Sequence, residues 1–184
     1  MLTCHFDYPS PAAAVAVLRV QAVADAGGQV RFSGLDVLGI DASLPPTLDL
    51  LEGLERHRDR AAELGLTLRR PSRRPPTIAA HLVGEHADDA GRGAAWRTAA
   101  LRAYWQDDAD LGDTPTLVEL AVGIGLDGLE VAALVGDRAA RARLRQRAIQ
   151  LRSKGVGGVP VLEVDGTLVS AEVSDDDLRQ LAGA

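Results

Sequence analysis

A glycine-rich stretch near the C-terminal end, residues 155–166, limits the fold more than any other part of the sequence. It reads Gly-Val-Gly-Gly-Val-Pro-Val-Leu-Glu-Val-Asp-Gly. Because proline cannot donate to a strand ladder, Pro160 is expected at the first position of a strand. Asp165 and Gly166 form a hairpin turn signal, and a second short strand is expected at 167–170. The sequence therefore predicts a β-hairpin near the C-terminal end, with a proline at its start.

Two geometries are open for the peptide bond between Val159 and Pro160. A trans proline at the start of a hairpin is the commoner case, because cis bonds are a minority even before proline. A cis bond is the other geometry that a proline allows. The segment alone favours the trans form, so the choice depends on the rest of the chain.

The N-terminal part has the pattern of a βαβ unit. Residues 2–6 are predicted to form a short buried strand, and residues 29–35 a second one. Between them, Ser10 is a good helix N-cap and Pro11 suits the first helical position of a helix over 12–26. A strand, a helix and a strand within this length imply a parallel pair with a right-handed crossover.

The middle of the chain, residues 46–154, shows helical patterns and no strand signal. A basic, proline-rich connector at 69–76 interrupts it. After the hairpin, Ser174 is the predicted N-cap of a last helix over 175–181. The element order predicts an α/β protein with a thioredoxin-like fold (βαβ…ββα) and a large all-helical insertion. Its parts are 1–45 and 155–184, the two halves of the thioredoxin-like domain, and 46–154, the insertion.

Composition excludes several classes of function. The net charge of −6 and the pI of 5.2 argue against nucleic acid as a partner. The single cysteine, Cys4, cannot form an internal disulfide. The N-terminus lacks the pattern of a signal peptide, and no apolar run is long enough to span a bilayer. A cytoplasmic protein with no membrane partner is expected.

Several segments in order resemble the DsbA superfamily. The resemblance is to its FrnE-type branch and to the 2-hydroxychromene-2-carboxylate isomerase-like branch, which is related to kappa-class glutathione transferases. It covers nearly the whole chain, and the order and spacing of the motifs count for more than any one of them. The matching segments are Phe6-Asp7-Tyr8-Pro9-Ser10-Pro11, Ala80-His81-Leu82, residues 103–113, Gly125-Leu126-Asp127 and the loop at 155–160.

The sequence departs from the oxidoreductase pattern at the residues that would react. FrnE-type oxidoreductases have Cys-Pro-X-Cys at the start of the first helix, where this chain has Ser10-Pro11-Ala12-Ala13. Thiol–disulfide exchange needs one thiolate to attack and a second thiol to resolve the mixed disulfide. A dithiol mechanism is therefore not expected.

The isomerase branch keeps Ser-Pro at this place, which implies a different use of the site. By this resemblance Ser10 is the catalytic residue, Pro11, Val159 and Pro160 bind a cofactor, and the Val159–Pro160 bond is cis. The implied cofactor is a low-molecular-weight thiol of the glutathione or mycothiol type, used for isomerase or transferase chemistry on a small organic substrate. A helix N-terminus favours an anion such as a thiolate. A homodimer is compatible with the resemblance.

A second interpretation of the same residues remains open. Ser10 could serve only as the helix cap, since serine is among the commonest N-cap residues. The protein would then be a redox-inactive binding protein derived from a FrnE-type disulfide oxidoreductase. Whether the chain is an enzyme is thus undecided by sequence.

The remaining candidate side chains are expected to be structural. Cys4 lies within the first strand and is expected to be an inert core residue. His5 and Asp7 share one face of that strand and could pair. His57 is expected on a solvated helix face. His81 and His86 are spaced poorly for a metal, and no metal site is expected.

Overall fold

The computed structural model describes residues 1–183, which form four strands and eight helices. The strands are β1 (Leu2–Phe6), β2 (Val30–Gly34), β3 (Val161–Val164) and β4 (Thr167–Ser170). The helices are α1 (Pro11–Asp25), α2 (Leu48–Glu63), α3 (Ile78–Asp89), α4 (Gly93–Asp107), α5 (Thr114–Gly123), α6 (Gly128–Gly136), α7 (Arg138–Ser153) and α8 (Asp175–Leu181).

The strands form one mixed sheet in the order β2-β1-β3-β4. The β1–β2 pair is parallel, whereas β1–β3 and β3–β4 are antiparallel. In this register Cys4 lies between Phe32 and Leu162 at the centre of the sheet. The predicted α/β thioredoxin-like order, βαβ…ββα with an all-helical insertion, is confirmed.

Helix α1 is buried more completely than its sequence pattern predicted. The helical periodicity of the sequence predicts a single apolar face of Val15, Leu18 and Ala22 toward the core. Val15 is buried, but Leu18 is only partly buried and Ala22 is exposed. The fully packed positions instead include Val17 and Val20, because α1 contacts β1 on one side and α2 and α4 on others.

The helical insertion shares its hydrophobic core with the sheet. Trp96 and Trp105 of α4 are fully buried in the same cluster as residues of β1. The indole Nε1 of Trp96 donates to the hydroxyl oxygen of Tyr8 at 2.9 Å, and that of Trp105 donates to the carbonyl oxygen of Tyr8 at 3.1 Å. Both tryptophans therefore fix the segment between β1 and α1. The boundaries of the insertion at 46 and 154 stay predictions.

The C-terminal helix is held to α1 by one arginine. Arg19 donates from its Nε to Asp175 at 2.6 Å and from its Nη1 to the carbonyl oxygen of Ala171 at 2.9 Å. Ser174 caps α8 as predicted, since its Oγ accepts from the amide of Asp177 at 3.1 Å. The hydrogen bond from Arg19 lowers the pKa of the Asp175 carboxyl below its usual value.

Candidate functional site

Ser10 is the N-cap of α1, as the sequence predicts. Its backbone is extended, and its Oγ accepts from the amide of Ala13 at 3.2 Å. Pro11 occupies the first helical position, where its missing N–H removes nothing from the helix. The backbone and side chain at this turn are therefore set by local sequence.

Two hydrogen-bond donors at this turn are unused by the protein. Within residues 1–183, no group accepts from the Ser10 hydroxyl or from the amide of Ala12. Ser10 is half-buried, so its hydroxyl is within reach of a bound molecule. The capping role therefore leaves the Ser10 proton free, and the positive end of α1 adds an attraction for an anion.

The loop before β3 approaches the same end of α1. The Val159–Pro160 peptide bond is cis in the structure. Val159 is partly buried and packs against the main core cluster, while Pro160 shares a cleft with Ala12 of α1. The loop and the first turn of α1 thus face one another, as the resemblance implies.

A small cleft extends from Pro160 along the side of α1. Its volume is about 270 Å³, and apolar and polar residues contribute to its lining in similar number. Ser10, Pro11 and Val159 adjoin this cleft but do not line it. The residues that line it are Ala12, Val15, Ala16, Arg19, His57, Arg60, Pro160, Ser170, Ala171 and Glu172.

The expectation that His57 lies on a solvated face is wrong. His57 is partly buried and forms part of the cleft wall. Burial, followed by the nearby charge of Arg56, lowers the pKa of its imidazole. The residue that could have indicated this burial is Gly53. It lies opposite Pro11, and its lack of a side chain lets α2 pack close to α1. A Cβ at Gly53 would be 3.6 Å from Cγ of Pro11.

His5 and Asp7, which the sequence pattern allows to pair, each have another partner instead. Nε2 of His5 lies 2.9 Å from Oε2 of Glu163 on the neighbouring strand β3. Asp7 is buried at the end of β1 and turns toward α3. There its Oδ1 accepts from the Thr77 hydroxyl at 2.6 Å and lies 3.1 Å from Nε2 of His81.

The Asp7 cluster connects three chain segments beneath the candidate site. Oδ2 of Asp7 accepts from the amide of Val37 at 2.9 Å, and the Tyr8 ring stacks on His81 with the ring centroids 4.9 Å apart. The carbonyl oxygen of Asp7 accepts from the amide of Ser10 at 3.3 Å. The segment that leads into α1 is therefore anchored by a buried carboxyl whose partners, Val37, Thr77 and His81, the sequence pattern does not indicate.

The largest cavity, of about 740 Å³, is at the β2 edge of the sheet, away from Ser10 and Pro160. Most of its charged groups already pair with one another, such as His5 with Glu163 and Asp88 with Arg97.

Among residues 1–183, no three His, Cys, Asp or Glu side chains are grouped so as to hold a metal ion. None of the helices described is long and apolar enough to cross a membrane.

Cys4, the single cysteine of the sequence, is fully buried in the core as a free thiol. Burial raises the pKa of its thiol to about 12, a change that the charge of Arg97 only partly offsets. A thiol with so high a pKa is almost entirely protonated at neutral pH and is a poor nucleophile. The predicted role of Cys4 as a small core residue agrees with this environment.

We expect Cys4 to react with a thiol reagent only when the protein unfolds. In the native state, labelling by 5,5′-dithiobis(2-nitrobenzoate) should be roughly a thousandfold slower than in denaturant, because both thiolate content and access are lost. The release of nitrothiobenzoate measures the rate. Rapid labelling of the native protein, abolished in Cys4→Ala, would show that the thiol is accessible.

The comparisons with known proteins identify the family. Residues 2–184 match the DSBA-like thioredoxin domain. The chain belongs to this family. As a DSBA-like protein it has no cysteine at either of the two positions where the oxidoreductase pattern requires one, since Ser10 and Ala13 occupy them. A search of curated proteins gave no match.

Solved structures of similar proteins include enzymes of more than one kind. A probable DsbA oxidoreductase from Streptomyces coelicolor has 26% identity and a TM-score of 0.81, covering 99% of this chain and 89% of its own. A 2-hydroxychromene-2-carboxylate isomerase has 18% identity and a TM-score of 0.77, with 99% and 92% coverage. The cytosolic disulfide reductase DsbM from Pseudomonas aeruginosa has 22% identity and a TM-score of 0.63, with 97% and 95% coverage. The isomerase and DsbM, at 18% and 22% identity, show that this chain shares their fold.

Proposed function

We propose that this DSBA-like protein binds a low-molecular-weight thiol, of the glutathione or mycothiol type, at the N-terminus of α1. Ser10 is the catalytic residue in this proposal, and Pro11, Val159 and Pro160 shape the binding site. When bound, such a thiol would supply a nucleophilic sulfur for isomerase or transferase chemistry on a small organic substrate. The proposal includes a cytoplasmic location; a homodimer remains a prediction.

The observation that supports this proposal best is the pair of unused donors at the first turn. The Ser10 hydroxyl and the Ala12 amide have no acceptor among residues 1–183. Hydrogen bonds from such donors to an ionised sulfur are charge-assisted and stronger than neutral ones. The N-terminal end of α1 would add about 0.3–1 kcal/mol in favour of the anion.

The chain's own residues would hold the thiol in its ionised form. Ser10 would donate to the sulfur while its oxygen continues to accept from Ala13, so the helix cap is kept. Pro11 fixes the turn, and the backbone of Val159 would pair with the extended peptide part of the bound thiol. A structure of DsbM with GSH is among the similar structures, at 20% identity and a TM-score of 0.62.

The second candidate function is a redox-inactive binding protein derived from a FrnE-type disulfide oxidoreductase. The absence of both sulfurs at Ser10 and Ala13 favours it. The same cleft would then hold a small molecule or peptide without chemical change. Turnover of any substrate that is lost in Ser10→Ala would exclude this candidate.

Titration calorimetry with glutathione and with mycothiol tests the proposed function. We expect Ser10→Ala to bind the thiol about tenfold more weakly, because one hydrogen bond to a charged atom is lost. Ser174→Ala is the matched control. Ser174 caps α8 in the same way as Ser10 caps α1, because its hydroxyl oxygen accepts from the amide three residues later, that of Asp177. This variant should lose helix stability and leave thiol binding unchanged. No heat of binding at millimolar thiol, or equal affinity in Ser10→Ala, would contradict the proposal.

A further inference from the structure

The cleft beside Ser10 has one side chain that can change its charge near neutral pH. His57 is the only histidine in its lining, which combines small apolar residues such as Ala12, Val15 and Ala16 with charged and polar ones. An unperturbed imidazole titrates closer to neutral pH than any other ordinary side chain. Its place in the wall of a cleft is therefore of chemical interest.

The packing of α2 against α1 fixes where His57 lies. Gly53 of α2 faces Pro11 of α1, since a Cβ added at Gly53 would reach van der Waals distance of the Pro11 ring. Seven residues further on, Arg60 meets the same Asp175 carboxylate that Arg19 of α1 contacts. The two helices therefore run side by side in the same direction. His57, one turn after Gly53 and on the same face, lies about 6 Å along the axis from the level of Pro11.

The charged groups around His57 are largely paired with one another. Arg19 and Arg60 both contact Asp175, and Arg60 also pairs with Glu63. Their charges are thus partly balanced before any ligand enters. The charged groups that face His57 from the elements packed around it are Arg56 and Arg60 on α2, Arg19 on α1, Glu172 after β4, and Asp175 on α8.

We propose that His57 is the proton-transfer residue of this cleft, exchanging a proton with a hydroxyl or enolisable carbonyl group of a small, largely apolar molecule. The molecule would lie along α1, on Ala12, Val15 and Ala16. Burial lowers the pKa of the imidazole, so a neutral ring is available as a base at neutral pH. This deepens the proposed function, on which it rests for the identity of the reaction.

The proposed step conserves atoms and charge. The lone pair of one imidazole nitrogen takes the proton of the ligand, the O–H or C–H bond breaks, and its electron pair remains on the ligand. His57 becomes an imidazolium ion, and the ligand becomes an anion beside it. Return of the proton to a different atom of the ligand would leave His57 neutral and the ligand isomerised, with no oxidant or reductant needed.

A coloured phenol tests this proposal without any thiol. 4-Nitrophenol is a small aromatic molecule with one hydroxyl group, and it absorbs near 400 nm only when ionised. In the wild-type protein we expect the bound probe to have a lower phenol pKa, because the imidazolium that forms when the proton moves to His57 stabilises the phenolate beside it. The phenolate fraction below neutral pH should be about tenfold larger than in free solution. The absorbance of the probe against pH, with and without protein, measures this effect.

Two variants make the result specific. His57→Gln keeps a polar side chain of similar size in the wall and should lose the added phenolate absorbance. His86→Gln, which changes a part-exposed histidine of α3 outside this cleft, should keep it. No absorbance change with the wild type at millimolar probe, or the same change with His57→Gln, would overturn the proposal. If the wild-type protein binds no thiol in the calorimetric test but still increases the nitrophenolate absorbance, only the proposed thiol site is wrong.

Discussion

Asp7→Ala is expected to lower the free energy of unfolding by about 3–5 kcal/mol, the range seen when one member of a buried, hydrogen-bonded charged cluster is removed. The carboxyl is 3% exposed and accepts from Thr77 and Val37, and it lies within hydrogen-bond distance of His81. Without it these buried groups lose their partner, and each such loss costs about 1–3 kcal/mol. Urea unfolding followed by circular dichroism measures the change.

Asp7→Asn and Asp59→Ala complete this test. The asparagine variant keeps the shape and one carbonyl oxygen, so it should be affected less than Asp7→Ala. Asp59 is exposed on α2, and its replacement by alanine should change stability by no more than about 0.5 kcal/mol. If Asp7→Ala is no less stable than Asp59→Ala, the cluster contributes nothing to folding.

The largest functional change is expected when both sulfurs are restored, in Ser10→Cys/Ala13→Cys. The unmodified protein should neither reduce insulin nor oxidise reduced ribonuclease, because Cys4 is buried and has no resolving partner. In the double variant the side chain at position 10 lies at the positive end of α1, next to the amide of Ala13. We expect its thiol to have a pKa of about 3.5–7.5 and to exchange disulfides.

Single variants separate the two roles in this experiment. Ser10→Cys alone should have a thiol of low pKa, measured by thiolate absorbance at 240 nm. It should not catalyse repeated disulfide exchange, because the second thiol is absent. Ala13→Cys alone places a thiol at a fully buried position and should behave like Cys4. A thiol pKa in the double variant near the ordinary value of about 8.5 would show that the helix end does not stabilise a thiolate. Disulfide exchange by the unmodified protein, lost in Cys4→Ala, would overturn the assignment of Cys4 as inert.

The parts of the fold that sequence predicted well are those fixed by local chemistry. Ser10, Ser174 and the Asp165-Gly166 turn act through groups within a few residues, and the structure places each where the pattern indicates. The two strands of the hairpin, separated by that turn, are found as expected at 161–164 and 167–170.

The errors concern contacts between segments that are distant in the chain. Asp7 is paired with residues 70 and 74 positions away, and His5 with one 158 positions away. A period-two pattern places His5 and Asp7 on one face, but it cannot indicate which side chain of α3 or β3 comes nearer. His57 was misplaced for the same reason, because its burial depends on how closely α2 packs on α1.

The two tryptophan contacts to Tyr8 have a consequence for how the chain evolved and folds. Tyr8 lies two residues before Ser10, and its hydroxyl and carbonyl oxygens both accept from α4. A helical segment that only covered the surface of a thioredoxin-like domain could vary without affecting the first turn of α1. Here the inserted helices support part of that turn, so the sheet and the insertion should unfold in a single cooperative transition. Substitutions in α4 should also change the conformation at Ser10.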